Sequence, residues 1–160
     1  MSTLVAETNT KDEIIQWVTF QLSDETYGIR VLKVQEVQRY SEISPIPGAP
    51  SYVLGIINLR GSVISVLNTR EKFGLPNAEP TDDTRIVILE SGDQVVGIMV
   101  DCVAEVVSLA TRDTDEAPNV GSDDAAKFID GVSNKDGKLV ILLDSDKILN
   151  EEEWQDLANL

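Results

Sequence analysis

The chain has 160 residues, 28 of them acidic and 13 basic, for a formal net charge of −15. Such a field disfavours nucleic acid and anionic lipid as partners. There is no histidine, so the commonest general base, metal ligand and phospho-acceptor is missing, and the single cysteine, Cys102, cannot form an intramolecular disulfide.

Taken in chain order, residues 1–13 contain no apolar segment of signal-peptide type, which predicts a flexible N-terminus and a cytosolic protein. Gln16 to Leu22 alternates Trp17, Thr19 and Gln21 with Val18, Phe20 and Leu22, and Asp24-Glu25-Thr26 turns the chain into the β-branched run that begins at Tyr27, a predicted hairpin. Val31 and Val34 fall on opposite parities, so a bulge or bend is expected near Leu32 and Lys33. Ser41 to Pro50 holds three prolines and a glycine and is an irregular connection. Asn58 to Gly61 has the composition of a hairpin loop, with Asn and Gly as the residues expected at positive φ. A short helix is predicted near Thr69 to Phe73. Arg85 to Leu89 and Gln94 to Val100 flank the Ser91-Gly92-Asp93 turn and form a second hairpin, followed by a bend near Asp101 and Cys102. Thr111 to Ala126 is polar and aperiodic, a predicted loop with one helical turn. Asn134 to Gly137 is a further hairpin loop. Asp144 is placed to cap one short helix, and Asn150 with Glu153 forms a capping-box pattern for a last one over 151–160, where Trp154, Leu157 and Ala158 make a docking stripe. The longest unbroken apolar stretch, Leu139 to Leu143, is far below the roughly 20 residues that span a bilayer, so direct membrane insertion is not expected.

The chain is also internally duplicated. Residues 27–37, YGIRVLKVQEV, align with residues 96–106, VGIMVDCVAEV, at an offset of 69, with six of eleven positions identical; 55–61, GIINLRG, align with 131–137, GVSNKDG, at an offset of 76. Two similar β-barrel modules follow, over about 27–80 and 84–143 within a domain spanning 14–150. What both copies share is expected to serve the fold, and what one copy alone carries is expected to serve a partner. By that test Gly28 and Gly97 are scaffold positions. Arg60, opposite Asp136 in the second copy, is a candidate anchor for carboxylate or carbonyl groups of a partner, the alternative being a solvated loop tip. Glu36, matched by Glu105, is open to either role. The acidic clusters Asp82-Asp83, Asp113 to Glu116 and Asp123-Asp124 lack the ligand spacing of a calcium loop, so solvated loops are expected, with no metal and no cofactor. Cys102, without a basic neighbour, is expected to be a small core residue.

YGIRVLKVQEV at 27–37, the proline-bearing connector and GIINLRGSVISVLNTREKFGL at 55–75 resemble the CheW family of bacterial chemotaxis coupling proteins, and the resemblance extends from about Ile14 to Leu149. It implies a mainly β fold of two interleaved SH3-like five-stranded barrels with exchanged terminal strands and short helices. It implies a non-enzymatic adaptor, monomeric alone and recruited from the cytoplasm to receptor arrays, whose partners are chemoreceptor cytoplasmic tips and the regulatory domain of the histidine kinase CheA. The alternative is a module of the same fold scaffolding a non-chemotactic kinase; an enzyme built on a carboxylate pair is a third reading. Receptor contacts are implied at Val34, Glu36, Arg60, Gly97 and Val103, and kinase contacts at Ile43, Val63, Asn119 and Val120. Val63 is equally open to being ordinary core. Ser65, Asn68 and Thr69 depart from the Pro, Asp and Leu usual in the family, which puts the difference at the cap of the short helix.

Overall fold

A computed structural model describes residues 13–116 and 127–160. Among the described residues eleven strands form two sheets. Strands β1 (Ile14–Leu22), β2 (Glu25–Arg30), β8 (Cys102–Ala110), β9 (Thr114–Asp115), β10 (Ile129–Lys135) and β11 (Lys138–Leu143) make a six-stranded sheet in the order β8-β1-β2-β11-β10-β9. Strands β3 (Val34–Arg39), β4 (Val53–Leu59), β5 (Ser62–Leu67), β6 (Arg85–Ser91) and β7 (Gln94–Val100) make a five-stranded sheet in the order β3-β6-β7-β5-β4. The fold is mainly β, consistent with two SH3-like barrels, the two-residue β9 supplying the sixth strand.

Each sheet borrows a hairpin from the other end of the chain. Hairpin β1–β2 joins the second copy's strands through parallel pairing of β2 with β11, and hairpin β6–β7 joins the first copy's through parallel pairing of β7 with β5. The exchange explains why both hairpins bury residues on both faces. Ile86 and Ile88 of β6 enter a cluster with Ile57, Ile64 and Val66, while Val87 and Leu89 enter a larger central core. Trp17 of β1 enters a cluster with Val107, Leu109, Val140 and Leu142, while Phe20 and Leu22 enter the same central core. The duplication is thus visible in the packing. Ile86, Ile64 and Val66 occupy the places of Trp17, Val140 and Leu142. Each fully buried large apolar side chain contributes about 1.5–3 kcal/mol relative to exposure, so the central core between the sheets is the largest stabilising unit. An aromatic chain runs through it: Phe20 stacks on Tyr27 at 5.7 Å, Tyr27 meets Phe73 edge-on at 5.2 Å, and Phe73 stacks on Phe128 at 4.7 Å.

The expected break near Leu32 is a 3₁₀ turn, Val31–Lys33, with the ladder slipping just after it between Val34 and Glu36; in the second copy Asp101 alone bends between β7 and β8. Asp101 cannot be a duplicate of Leu32 in role. Its carboxylate accepts from Arg70 Nε at 3.1 Å and Nη2 at 2.5 Å and from the Ser23 backbone N–H at 2.8 Å. It therefore ties the short helix α1 (Thr69–Lys72) to the β1–β2 turn and the β7–β8 corner. Asp101→Ala leaves the partly buried Arg70 guanidinium with a lost bidentate partner and is expected to cost about 1–3 kcal/mol. A denaturant titration checks this, and an unchanged midpoint would show the link to be dispensable.

Capping follows the sequence. Asn68 accepts from Glu71 N–H at the start of α1, so the departure from Asp is tolerated, although the Thr69 hydroxyl beside it is buried without a hydrogen-bond partner. Asp144 caps a 3₁₀ turn at Ser145–Lys147, and Asn150 and Glu153 form a complete capping box for α2 (Glu151–Ala158). Trp154 and Leu157 of α2 pack on the central core, while Ala158 is exposed.

Of the glycines shared by the two copies, Gly97 lies where a side chain has no room and Gly28 where one would be tight. A Cβ at Gly97 would sit 2.9 Å from Ile86 Cγ2, and one at Gly28 3.3 Å from Leu142 Cδ2. Both spare the interior of a sheet, in agreement with a scaffold role.

Candidate functional site

The two hairpin turns that distinguish the copies have the same backbone. Arg60 and Gly61 are at φ 52° and 88°, and Asp136 and Gly137 at 53° and 84°, the pair of positive values a two-residue hairpin turn requires. The residue expected there alongside glycine was asparagine. Instead Asn58 and Asn134 stand two places earlier, and their side-chain oxygens accept from the backbone N–H of Gly61 at 2.9 Å and of Gly137 at 3.0 Å. Bonded this way, the asparagines hold the turn from its stem. An arginine is therefore carried in a left-handed conformation that its twin gives to Asp, a residue more at ease there.

Arg60 is not isolated. Its Nη1 donates to Glu36 Oε1 at 3.1 Å and its Nη2 to Glu36 Oε2, a two-pronged ion pair between the β4–β5 turn and edge strand β3. Gln38 also donates to Glu36. The hydrogen bond from Arg60 is the main influence holding the Glu36 carboxyl below its ordinary range. The Arg60 side chain is 70% exposed and that of Glu36 23%, so Glu36 serves as the fixed socket and Arg60 as the presented group. At the equivalent places the second copy has Glu105 and Asp136, two acids, and no such pair is possible.

Val34 and Val103 occupy equivalent positions, paired with Leu89 and Phe20 respectively, and both pack from their own sheet against the one central core. They border the zone where the sheets meet. Gly97 is buried in β7, between Ile88 of β6 and Val66 of β5. The structure thus joins Glu36 to Arg60 and sets Val34 and Val103 around one core, while Gly97 is positioned to shape the sheet from within.

Of the expected kinase contacts, Ile43 lies in the connector that Ser44 fastens to β4 through reciprocal backbone bonds with Ile56 of 2.9 and 2.8 Å. It is half-buried and lines a shallow cleft with Tyr40, Pro45, Leu54, Pro80 and Met99. Val63 is not core: it is 66% exposed, and its second-copy counterpart Leu139 is 51% exposed. Leu139 is a residue that sequence reasoning passed over, although its place 76 residues after Val63 was available as a signal. Asn119 and Val120 lie outside the described residues. Cys102 is half-buried rather than core, its thiol 3.5 Å from the Gln21 side-chain oxygen.

Residues 16–153 match the family model for the CheW-like domain. The chain is 39% identical over 153 residues to the chemotaxis protein CheW of Treponema pallidum, covering 93% of this chain and 90% of that protein. It is 32% identical to the chemotaxis protein CheW of Rhizobium meliloti, covering 85% and 88%. Among solved structures, the scaffolding protein TtCheW of Thermoanaerobacter tengcongensis is similar with a TM-score of 0.75 at 33% identity, over 81% of this chain and 88% of that one.

Proposed function

This chain belongs to the CheW-like domain family, and from that premise we propose that it is a non-catalytic adaptor coupling methyl-accepting chemoreceptors to the regulatory domain of the histidine kinase CheA. The observation that carries the reading is the Arg60–Glu36 pair. A cation is held out from the surface of a strongly acidic protein, in one copy of a duplicated scaffold whose other copy forms the same turn without it. A half-buried carboxylate socket with an exposed guanidinium suits recognition of carboxylate or carbonyl groups on a receptor tip. Val34 and Val103, at the border between the sheets, supply apolar contact beside it, with Gly97 shaping β7 beneath. Ile43 and the exposed Val63 supply kinase contacts on other parts of the surface, and Asn119 and Val120, which lie outside the described residues, are further kinase contacts of this reading. The two modules, 27–80 and 84–143, act as one rigid coupler because their hairpins are exchanged. The protein works in the cytoplasm and is recruited to receptor arrays through these contacts; among the described residues no helix is long and apolar enough to cross a membrane.

The test is a pair of titrations, one with a receptor cytoplasmic fragment and one with the kinase regulatory domain. Binding to both supports the adaptor. Binding to a kinase regulatory domain from a non-chemotactic pathway, with none to chemoreceptor, would instead favour a scaffold of the same fold for another kinase.

A further inference from the structure

Among the described strands the chain crosses from one sheet to the other at two places: after β2, through the turn Val31–Lys33 into β3, and after β7, through Asp101 into β8. Both crossings are latched. Arg70, in the helix α1 that follows β5, holds Asp101, which also accepts from the Ser23 backbone N–H in the β1–β2 turn. Asp146, 76 residues after Arg70 and in the 3₁₀ turn that follows β11, holds Lys33 at 3.1 Å and accepts from the Ser91 hydroxyl at the end of β6 at 2.7 Å. Each latch joins a crossing, the helical turn that closes one copy and one of the two exchanged hairpins, with the charges reversed between them. Val34 is the next residue after Lys33, and Val103 is the second after Asp101. The latches therefore stand behind the two valines that border the zone where the sheets meet.

They are unequal in strength. Arg70 grips both oxygens of Asp101 with side chains 15% and 35% exposed, whereas the lone ammonium of Lys33 meets Asp146 with side chains 37% and 46% exposed. The more exposed, more solvent-screened pair is the weaker. No residue of Val31–Lys33 is fully buried, and Leu32 at its tip is 93% exposed, so packing does little to hold the turn that places Val34.

We propose, resting on the adaptor reading above, that Lys33 and Asp146 are positioning residues for receptor binding: their latch holds the Val31–Lys33 crossing, and through it Val34, in place, while Arg70 and Asp101 keep the Val103 side fixed. Holding a contact in its bound position beforehand removes an ordering cost from association. The effect is therefore read in receptor affinity and in local opening, and hardly in global stability.

Lys33→Met, Asp146→Asn and the double variant are titrated, as full chains, with a receptor cytoplasmic fragment and with the kinase regulatory domain. Amide hydrogen exchange is followed at Val34, whose N–H donates to the Val31 carbonyl. Each single variant is expected to bind receptor about three- to tenfold more weakly, and the double variant no more weakly than the singles, because the same latch is lost in all three. Exchange at Val34 should quicken in all three with no receptor present, while exchange at Val103, kinase-domain affinity and the unfolding midpoint stay near wild type. Wild-type receptor affinity in both single variants would overturn the proposal and leave the adaptor reading standing. Additive losses with unchanged exchange at Val34 would overturn it too, assigning Lys33 and Asp146 to direct receptor contact. A wild-type chain that ignores the receptor fragment would overturn this proposal and the adaptor reading together.

Discussion

Gly55→Ala is expected to lower the free energy of unfolding by about 2–5 kcal/mol, the sum of backbone strain and overpacking against rigid atoms. Gly55 is at φ 152°, and a Cβ there would lie 2.2 Å from the Ser44 carbonyl oxygen and 2.7 Å from its carbon. Neither atom belongs to a side chain that can rotate away. Relief requires the connector to leave β4, which breaks the two hydrogen bonds between Ser44 and Ile56 and carries Ile43 off with it. The second copy repeats the constraint in milder form, since a Cβ at Gly131 would lie 2.8 Å from the Asp115 carbonyl oxygen. The control is Gly48→Ala, at φ 82° with nothing within 4 Å, where only the cost of a left-handed alanine of about 1–2 kcal/mol applies. Denaturant midpoints of the two variants make the comparison, and equal losses would show that the close approach at Ser44 is unimportant. Affinity for the kinase domain should fall with Gly55→Ala as well, if Ile43 contacts it.

Arg60→Asp is expected to reduce receptor affinity by roughly ten- to a hundredfold while moving stability by less than about 0.5 kcal/mol. The fold tolerates the change because Asp136 already occupies the same turn with the same backbone. The ion pair it removes is largely exposed, and pairs of that kind contribute about 0–1 kcal/mol. Binding suffers more, because a charge-assisted contact worth about 1.5–3 kcal/mol becomes a repulsion. The same pair sets a pH dependence. Hydrogen bonding from Arg60 lowers the Glu36 pKa in the folded chain, so its stabilising effect is present above the ordinary carboxylate range and is lost as pH falls through the lowered value. Below it Arg60 loses its socket, and receptor affinity should drop at acid pH in the wild type more than in Glu36→Gln. Kinase-domain binding should persist in Arg60→Asp. Wild-type receptor affinity in that variant would reduce Arg60 to a solvated loop residue.

Much of this was legible in the residues. The alternation in Gln16 to Leu22, the two turn sequences and the Asn150–Glu153 spacing are local signals, and the structure follows them because each is satisfied within a few residues. The duplication gave more than single elements could, marking Arg60 as the odd residue at a shared turn. Its partner was not legible: Glu36 is 24 positions away, on the strand at the opposite edge of the sheet from β4, and only the tertiary fold brings the two together. The side to which Val63 points was available in principle, since Ile64 and Val66 on the opposite parity are buried, yet the unbroken apolar run hides the alternation. Hairpin exchange was implied by resemblance to a family and by nothing in the strand patterns themselves. Strands such as β6, buried on both faces, carry no alternation to show which sheet they join.

Coupling itself is tested most directly by kinase autophosphorylation reconstituted from three parts: receptor in membranes or assembled fragments, kinase, and this chain. The account predicts that the chain raises kinase activity only when receptor is present, co-sediments with both, and loses the receptor-dependent rise in Arg60→Asp while still binding the kinase. Kinase activity that is indifferent to the chain, or equally raised by it without receptor, would contradict the claim that it is a coupler.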